Sequence, residues 1–279
     1  MKKIFAMLLA LAMVFALCAC GQTAPAEKPA EEAPVEEAPV EEAPVEEAPV
    51  EEAPVEEAPV EEAPVEEAPA VMTYAEYAAA EVDDPVVVEC YVQAHESWWD
   101  NKVSVHAQDA DGAYYIYEMA CSQEDAEKLV PGTKIRVSGF KGEWAGEVEI
   151  VDPTFEFVDA EPWTAEALDV AELLGTDALA EHINQLICVK DAVVADKGEG
   201  AAFFYGWDNS GEDGNSDLYF DVEINGAVYT FVVRRYLTAP GSEVYEAVKA
   251  LNVGDTVDIE GFLYWYEGPQ PHITSIAVK

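Results

Sequence analysis

Two stretches of this chain repeat one another. Residues 132–150, GTKIRVSGFKGEWAGEVEI, return near the C-terminus as residues 254–273, GDTVDIEGFLYWYEGPQPHI. At a spacing of 122 residues Gly132 matches Gly254, Gly139 matches Gly261 and Phe140 matches Phe262. The alternating apolar positions agree as well, Ile135 and Val137 with Val257 and Ile259. Each copy reads as a strand, a Gly-Phe bend, a loop carrying Trp, and a second strand. Glycine inside a strand pattern marks a bulge or a barrel corner. Two copies predict two small β-barrels in tandem.

The chain in front of them is of another kind. Lys2 and Lys3 precede an apolar run over residues 4–17, the length of a signal-peptide core and too short to span a membrane. It ends in Leu17-Cys18-Ala19-Cys20-Gly21, which resembles a bacterial lipobox. Residues 1–19 are expected to be removed and Cys20 to carry lipid, placing the protein on the extracellular face of the cell membrane. Acyl chains contribute about 0.8 kcal/mol per buried CH₂, so two or more give a lasting anchor. From Glu31, EEAPV occurs seven times and closes with EEAPA at Ala70. Proline every fifth residue blocks a helix, and the paired glutamates repel. Residues 20–71 therefore read as a disordered acidic spacer of polyproline-II character, reaching on the order of 120 Å. The alternative is that the repeat itself binds a basic partner or cations.

The net charge of −43 is not the spacer's alone. Residues 71–279 hold 40 Asp and Glu against 11 Lys and Arg, a net −29. Attraction to phosphate backbones is not expected at such a charge, and nucleic acid is excluded as a partner at this stage. Cys90, Cys121 and Cys188 are an odd number for a disulfide framework. They read as buried thiols, with a Cys90–Cys121 bridge as the alternative.

The first folded unit, residues 72–159, opens with a capping box, Thr73 and Glu76, and a hydrophobic staple, Met72 and Tyr77. Val86, Val88, Cys90 and Val92 alternate on one strand face. Residues 102–108 and 113–119 pair around an Asp109–Gly112 turn, and Ser122 caps a short helix before Pro131-Gly132. The second unit, residues 160–279, is expected to begin with a linker helix capped by Thr164 and ended by Gly175. A strand at 185–195 follows, then a hairpin around Asn225-Gly226 and a helix from Ser242. Residues 198–217 are an insertion expected to form an extra hairpin arm.

The order is β-β-β-α-β-β, which resembles the OB-fold. The fold class is mainly β: two tandem five-stranded OB-fold barrels with short helices, after a disordered acidic spacer. The stretches TYAEYAAAEVDDPVVVECYVQA, SWWDNKVSVHAQDADGAYYIYEMACS and PGTKIRVSGFKGEWAGEVEI are similar to those of Gram-positive surface lipoproteins built from OB-fold modules. The resemblance implies fold and location and brings no activity with it.

OB-folds bind across strands two and three, between the 1–2 and 4–5 loops. Those loops carry Trp98, Trp99 and Trp144 in the first unit, and Trp207, Trp265 and Tyr266 in the second. Parity puts His106, Tyr115 and Tyr117 on the outer face of one barrel and Tyr219 on that of the other. Flat rings stack on sugars or bases, and carboxylates accept from sugar hydroxyls. Basic residues are few: Lys134, Arg136 and Lys141 near one barrel, Arg234 and Arg235 near the other. The expected role is therefore a non-catalytic module for a cell-wall glycan, or a structural protein docking an envelope partner. The competing reading has the tryptophans covering barrel ends or the seam between barrels. Asp208, Glu212, Asp213 and Asp217 crowd ten residues and suggest calcium, although the EF-hand frame fits poorly and a solvated turn is the plainer reading. No other cofactor is expected. The four histidines, His95, His106, His182 and His272, lack metal-ligand spacing, and nucleophile, P-loop and dinucleotide motifs are missing, so no enzyme is expected.

Overall fold

The computed structural model describes residues 70–279. The expected signal peptide, the expected lipidation at Cys20 and the expected spacer through residue 69 lie outside the described residues. Among the described residues no helix is long and apolar enough to cross a membrane.

A short helix, α1 (Tyr74–Ala79), leads into the first barrel. Its capping box is closed in both directions: Glu76 N–H donates to Thr73 Oγ1 at 3.3 Å, and Thr73 N–H donates to Glu76 Oε2 at 2.8 Å. At its other end the Lys141 ammonium donates to the carbonyls of Tyr77, Ala78 and Ala80 at 3.2, 2.8 and 2.8 Å. These are the carbonyls a helix end leaves unsatisfied, and a cation suits that end of the dipole.

The barrel strands are β1 (Pro85–His95), β2 (Lys102–Gln108), β3 (Ala113–Ala120), β4 (Lys134–Trp144) and β5 (Glu147–Phe157). A short α2 (Gln123–Ala126) lies between β3 and β4, capped by Ser122. The ring closes in the order β1-β2-β3-β5-β4, with β3 and β5 parallel. Val86, Val88, Cys90 and Val92 point inward as the alternation requires, against Val105, Tyr114, Ile116, Ile135 and Ile150. The β4–β5 register shifts between Ser138 and Phe140. A Cβ on Gly139 would lie 2.8 Å from the Val151 carbonyl oxygen, so only glycine lets the strands approach there.

The second barrel repeats the order with additions. Its ring is β7 (Leu186–Val194), β9 (Leu218–Ile224), β10 (Ala227–Val233), β12 (His272–Val278) and β11 (Thr256–Phe262). The β7–β9 pairing closes it. Both rings follow the OB-fold path. β6 (Leu168–Asp169) is added beside β7, and β8 (Phe203–Tyr205) beside β9. The insertion thus supplies a single edge strand followed by turns. Asn225 and Gly226 turn the β9–β10 hairpin with φ of 52° and 81°, and α3 (Glu243–Lys249) buries Tyr245 and Val248 against the core. The register of β11 on β12 shifts at Glu260/Gly261, the counterpart of the first bulge. A Cβ on Gly261 would lie 2.3 Å from the His272 carbonyl oxygen.

The linker helix expected from Thr164 to Gly175 is not formed. Residues 160–167 form no regular secondary structure, β6 follows, and 171–175 are turns. Tertiary partners prevail over the local cap: Trp163 packs on Tyr91 at 5.5 Å, Ala165 N–H donates to Gln93 Oε1 at 2.8 Å, and Leu168 pairs with Ile187. A 3₁₀ turn, Asp177–His182, follows, and Thr176 gives it no side-chain cap.

The barrels meet along a polar and aromatic seam. Asn184 Nδ2 donates to the Val148 carbonyl at 2.8 Å, Leu186 N–H to Gln108 Oε1 at 3.0 Å, and Ser97 N–H to the Tyr236 carbonyl at 2.6 Å. Trp265 N–H donates to the buried Glu147 carboxyl at 2.7 Å. The Trp265 ring lies so close over Gly146 that a Cβ there would sit 2.7 Å from it. Gly146 has φ of +92° and turns β4 into β5. Cys90, Cys121 and Cys188 are free and buried.

Candidate functional site

The outer face of β2 and β3 in the first barrel is turned toward the second barrel. His106 is fully buried and lies flat on Phe262, centroids 4.2 Å apart and planes 5° from parallel. His272 lies flat on Tyr264 at 4.1 Å and meets His106 edge-on at 6.3 Å. Burial, with the Arg234 charge added, pushes His106 down to about 3 and His272 well below the usual imidazole range. Both rings are neutral at physiological pH. Tyr115 meets Tyr264 at 5.6 Å and is 4% exposed. His106 and Tyr115, expected as open contacts, are thus packing groups of the seam. Strand parity assigns a side chain to a face and says nothing of what covers that face.

Beyond these rings the seam opens into a cleft of about 900 Å³. Tyr117 and Trp144 line it from the first barrel, and Trp207, Tyr219 and Tyr266 from the second. Trp144 and Tyr266 face one another across the seam at 5.4 Å. Trp207 is 76% exposed and Trp144 59%, so both ring faces are open to a ligand. A second hollow of about 570 Å³ shares Tyr115, Tyr117 and Arg234 with the cleft and adds Trp99, Lys102 and Arg235. The structure therefore gathers six of the singled-out aromatics in one cleft, the largely covered Tyr115 among them, and Trp99 next to it. It leaves two out. Trp98 is half-buried and donates its Nε1–H to the Cys121 carbonyl at 2.8 Å, while Trp265 packs on Gly146 and the second core.

Arg234, which sequence reasoning counted only as background charge, stands at the junction of the hollows. Its guanidinium donates to Asp217 Oδ2 at 2.8 Å and reaches Glu96 Oε1 at 3.5 Å. Burial alone would lower its pKa, but the two carboxylates more than offset this and hold it charged. Burial raises the Glu96 carboxyl, with Arg234 opposing. Glu149, Tyr264, Gln270 and His272 also line the cleft and were not singled out. Glu149 and His272 lie on strands of the duplicated stretch, and Tyr264 and Gln270 in the loop between β11 and β12.

The suggested calcium loop is not assembled. Asp217 accepts from Arg234 and from Arg235 N–H, Asp213 pairs with Lys249 at 3.0 Å, and Asp208 accepts from Ser210. Glu212 N–H is held by Ser216 Oγ at 2.9 Å. Among the described residues no three His, Cys, Asp or Glu are placed to hold a metal ion.

No family profile and no curated relative matches this sequence. Solved structures do match. A murine DNA-binding protein bound to double-stranded DNA is 10% identical, over 70% of this chain and 98% of that one, with a TM-score of 0.33. The HINa domain of Ifi202, in complex with a 20-base-pair DNA, is 14% identical over 71% and 96%, with a TM-score of 0.31. A replication protein A heterotrimer bound to single-stranded DNA is 10% identical over 72% and 51%, with a TM-score of 0.30. At these values the likeness concerns the path of the chain, and the DNA belongs to those proteins.

Two expectations are corrected here: a cell-wall glycan or envelope protein as the ligand, and the exclusion of nucleic acid. The wall reading relied on ring faces that the seam has taken, those of His106, Tyr115 and Trp265, and on Trp98, whose ring packs against the core of the first barrel. The expectation of no nucleic acid rested on the net charge of residues 71–279 and on the scarcity of basic residues, neither of which describes a cleft lined mostly by aromatic rings.

Proposed function

We propose that this chain is a non-enzymatic binding protein whose inter-barrel cleft takes an unpaired nucleobase, either from a single strand or as a nucleoside. In this reading Cys20 carries lipid, and the EEAPV spacer holds the barrels off the outer face of a Gram-positive membrane. Residues 72–159 and 160–279 act as its two domains. The observation that carries the ligand is the lining of the cleft, with Tyr117, Trp144, Trp207, Tyr219 and Tyr266 around about 900 Å³. That volume lies in the range of small-molecule sites. Base–aromatic stacking contributes about 1–3 kcal/mol per base and tolerates any base, because each has a π-face.

The charge of the folded part sets the form of the ligand. A duplex would bring a dense row of phosphates against a surface of net −29. A nucleoside, or a base turned in from a flexible strand, leaves phosphate outside. Of the cations near the cleft, Arg234 is paired with Asp217 and Lys102 with Glu118, while the Arg235 guanidinium is held by neutral groups, the Asn215 oxygens and the Tyr236 hydroxyl. Non-enzymatic action accords with the lack of nucleophile and phosphate-loop motifs in the sequence.

The test follows tryptophan emission of the full chain as a short single strand, its duplex, and the same strand without bases are added. The base-bearing strand is expected to quench, the duplex less, and the abasic strand not at all. Trp144→Ala with Trp207→Ala should weaken binding about tenfold or more. Equal binding of the abasic strand, or no quenching by any of them, overturns the reading.

A further inference from the structure

Glu149 is a carboxylate without a partner. It lies on β5 and lines the cleft, and its residue is only 9% exposed. Among the described residues no hydrogen bond or ion pair reaches it. Its neighbours are differently placed: Glu147 accepts from Trp265 N–H, and Glu96 faces Arg234. Burial alone raises the Glu149 carboxyl above the ordinary carboxylate range, with no donor opposing. Its oxygens open into the cleft and take no donor from the protein, so they are free to accept from donors that a ligand brings.

We infer that Glu149 is the specificity-determining residue of this cleft and that it selects guanine, an inference that rests on the base-binding reading. The argument is one of edges. Guanine offers N1–H and N2–H side by side and pointing the same way, a fork that meets both oxygens of one carboxylate. Adenine and cytosine each offer one amino group beside a ring nitrogen whose lone pair faces the second oxygen. Uracil and thymine offer one N–H between two carbonyls. Only guanine satisfies both oxygens without repulsion, by the same two-bond logic that makes arginine–carboxylate pairs strong. The aromatic walls contribute to binding of every base alike, and the carboxylate discriminates among them.

The experiment titrates the full chain with guanosine, inosine, adenosine and uridine, following tryptophan emission. Inosine keeps N1–H and lacks the 2-amino group. Guanosine is expected to bind about tenfold or more tighter than adenosine, with inosine between them. Glu149→Gln, shown to be folded by circular dichroism, should bring guanosine down to the level of adenosine. Should that variant not fold, the guanosine–inosine comparison in the unaltered chain decides. Equal affinity for all four nucleosides, or a guanine preference that survives in Glu149→Gln, overturns the inference while leaving base binding intact. No binding of any nucleoside overturns both.

Discussion

Glu147 makes the stability of the two-barrel unit pH-dependent in a window where few other groups titrate. Its carboxyl is fully buried at the seam, with one oxygen on Trp265 N–H and the other without a protein partner. Burial raises it from 4.5 to about 8, the Trp265 bond opposing only in part. The folded state therefore keeps a proton that the unfolded state has released. An acid with a raised folded pKa loses stability as pH rises from the unfolded value to the folded one, by about 1.4 kcal/mol per unit. The buried histidines act in the other direction. His106, lowered from 6.5 to about 3, stays neutral when folded, so its contribution is present above 6.5 and is lost as pH falls toward 3. His272 follows the same sign. The opposing effects place the stability maximum near neutral pH. Between pH 6.5 and 8 the histidine contributions are flat and Glu147 alone removes about 2 kcal/mol.

Urea unfolding of the full chain, followed by far-ultraviolet circular dichroism at intervals from pH 6 to 9, measures this directly. Glu147→Gln keeps an acceptor for Trp265 and cannot ionise. The gap between the two proteins should widen by about 2 kcal/mol across the window in favour of the variant. Taking the difference also removes the contributions of Glu96 and Glu149, whose carboxyls are raised as well. Parallel curves from pH 6.5 to 8.5 would refute the reasoning, because they would mean that Glu147 is already ionised or is already solvated.

Gly261→Ala should destabilise by about 1–3 kcal/mol in urea unfolding, since the new Cβ meets the His272 backbone, which cannot rotate away. Lys141→Met should cost a similar amount, read in the same assay, because three carbonyls at the end of α1 lose their donor in a buried place. Glu149→Leu should do the reverse and raise stability modestly in the same assay, because partial burial disfavours the charged carboxylate, while ligand selectivity is lost.

The parts of the fold that were legible in the sequence are those fixed by local chemistry. Gly139 and Gly261 marked matching bulges because their spacing and flanking alternation recur. Asn225-Gly226 turned a hairpin, and Thr73 with Glu76 closed a capping box, because each needs only residues a few positions apart. The failures share the opposite property. Thr164 and Gly175 make a reasonable local helix, but Gln93 and Tyr91, some seventy residues earlier, hold the start of that segment on the first barrel. The acidic loop resembled a cation site until Arg234 and Lys249 were brought to Asp217 and Asp213. Trp144, Trp207 and Tyr266 were visible as loop aromatics, but their shared cleft was not, because its walls come from two barrels. Arg234 and Glu149 lay on the same seam and carried no local pattern at all.

Gly146 matters in another way. The Trp265 indole rests directly on its backbone, in space that any side chain would occupy. That contact touches no part of the cleft, but it sets how far apart the two walls stand, as a washer sets the gap between plates. Any residue with a Cβ at position 146 thickens the washer. The barrels could remain folded while the rings of Trp144 and Tyr266 drift out of register. A substitution remote from the ligand would then change which ring systems fit between them. The gauge of the cleft is thus written into a position whose defining property is to have no side chain.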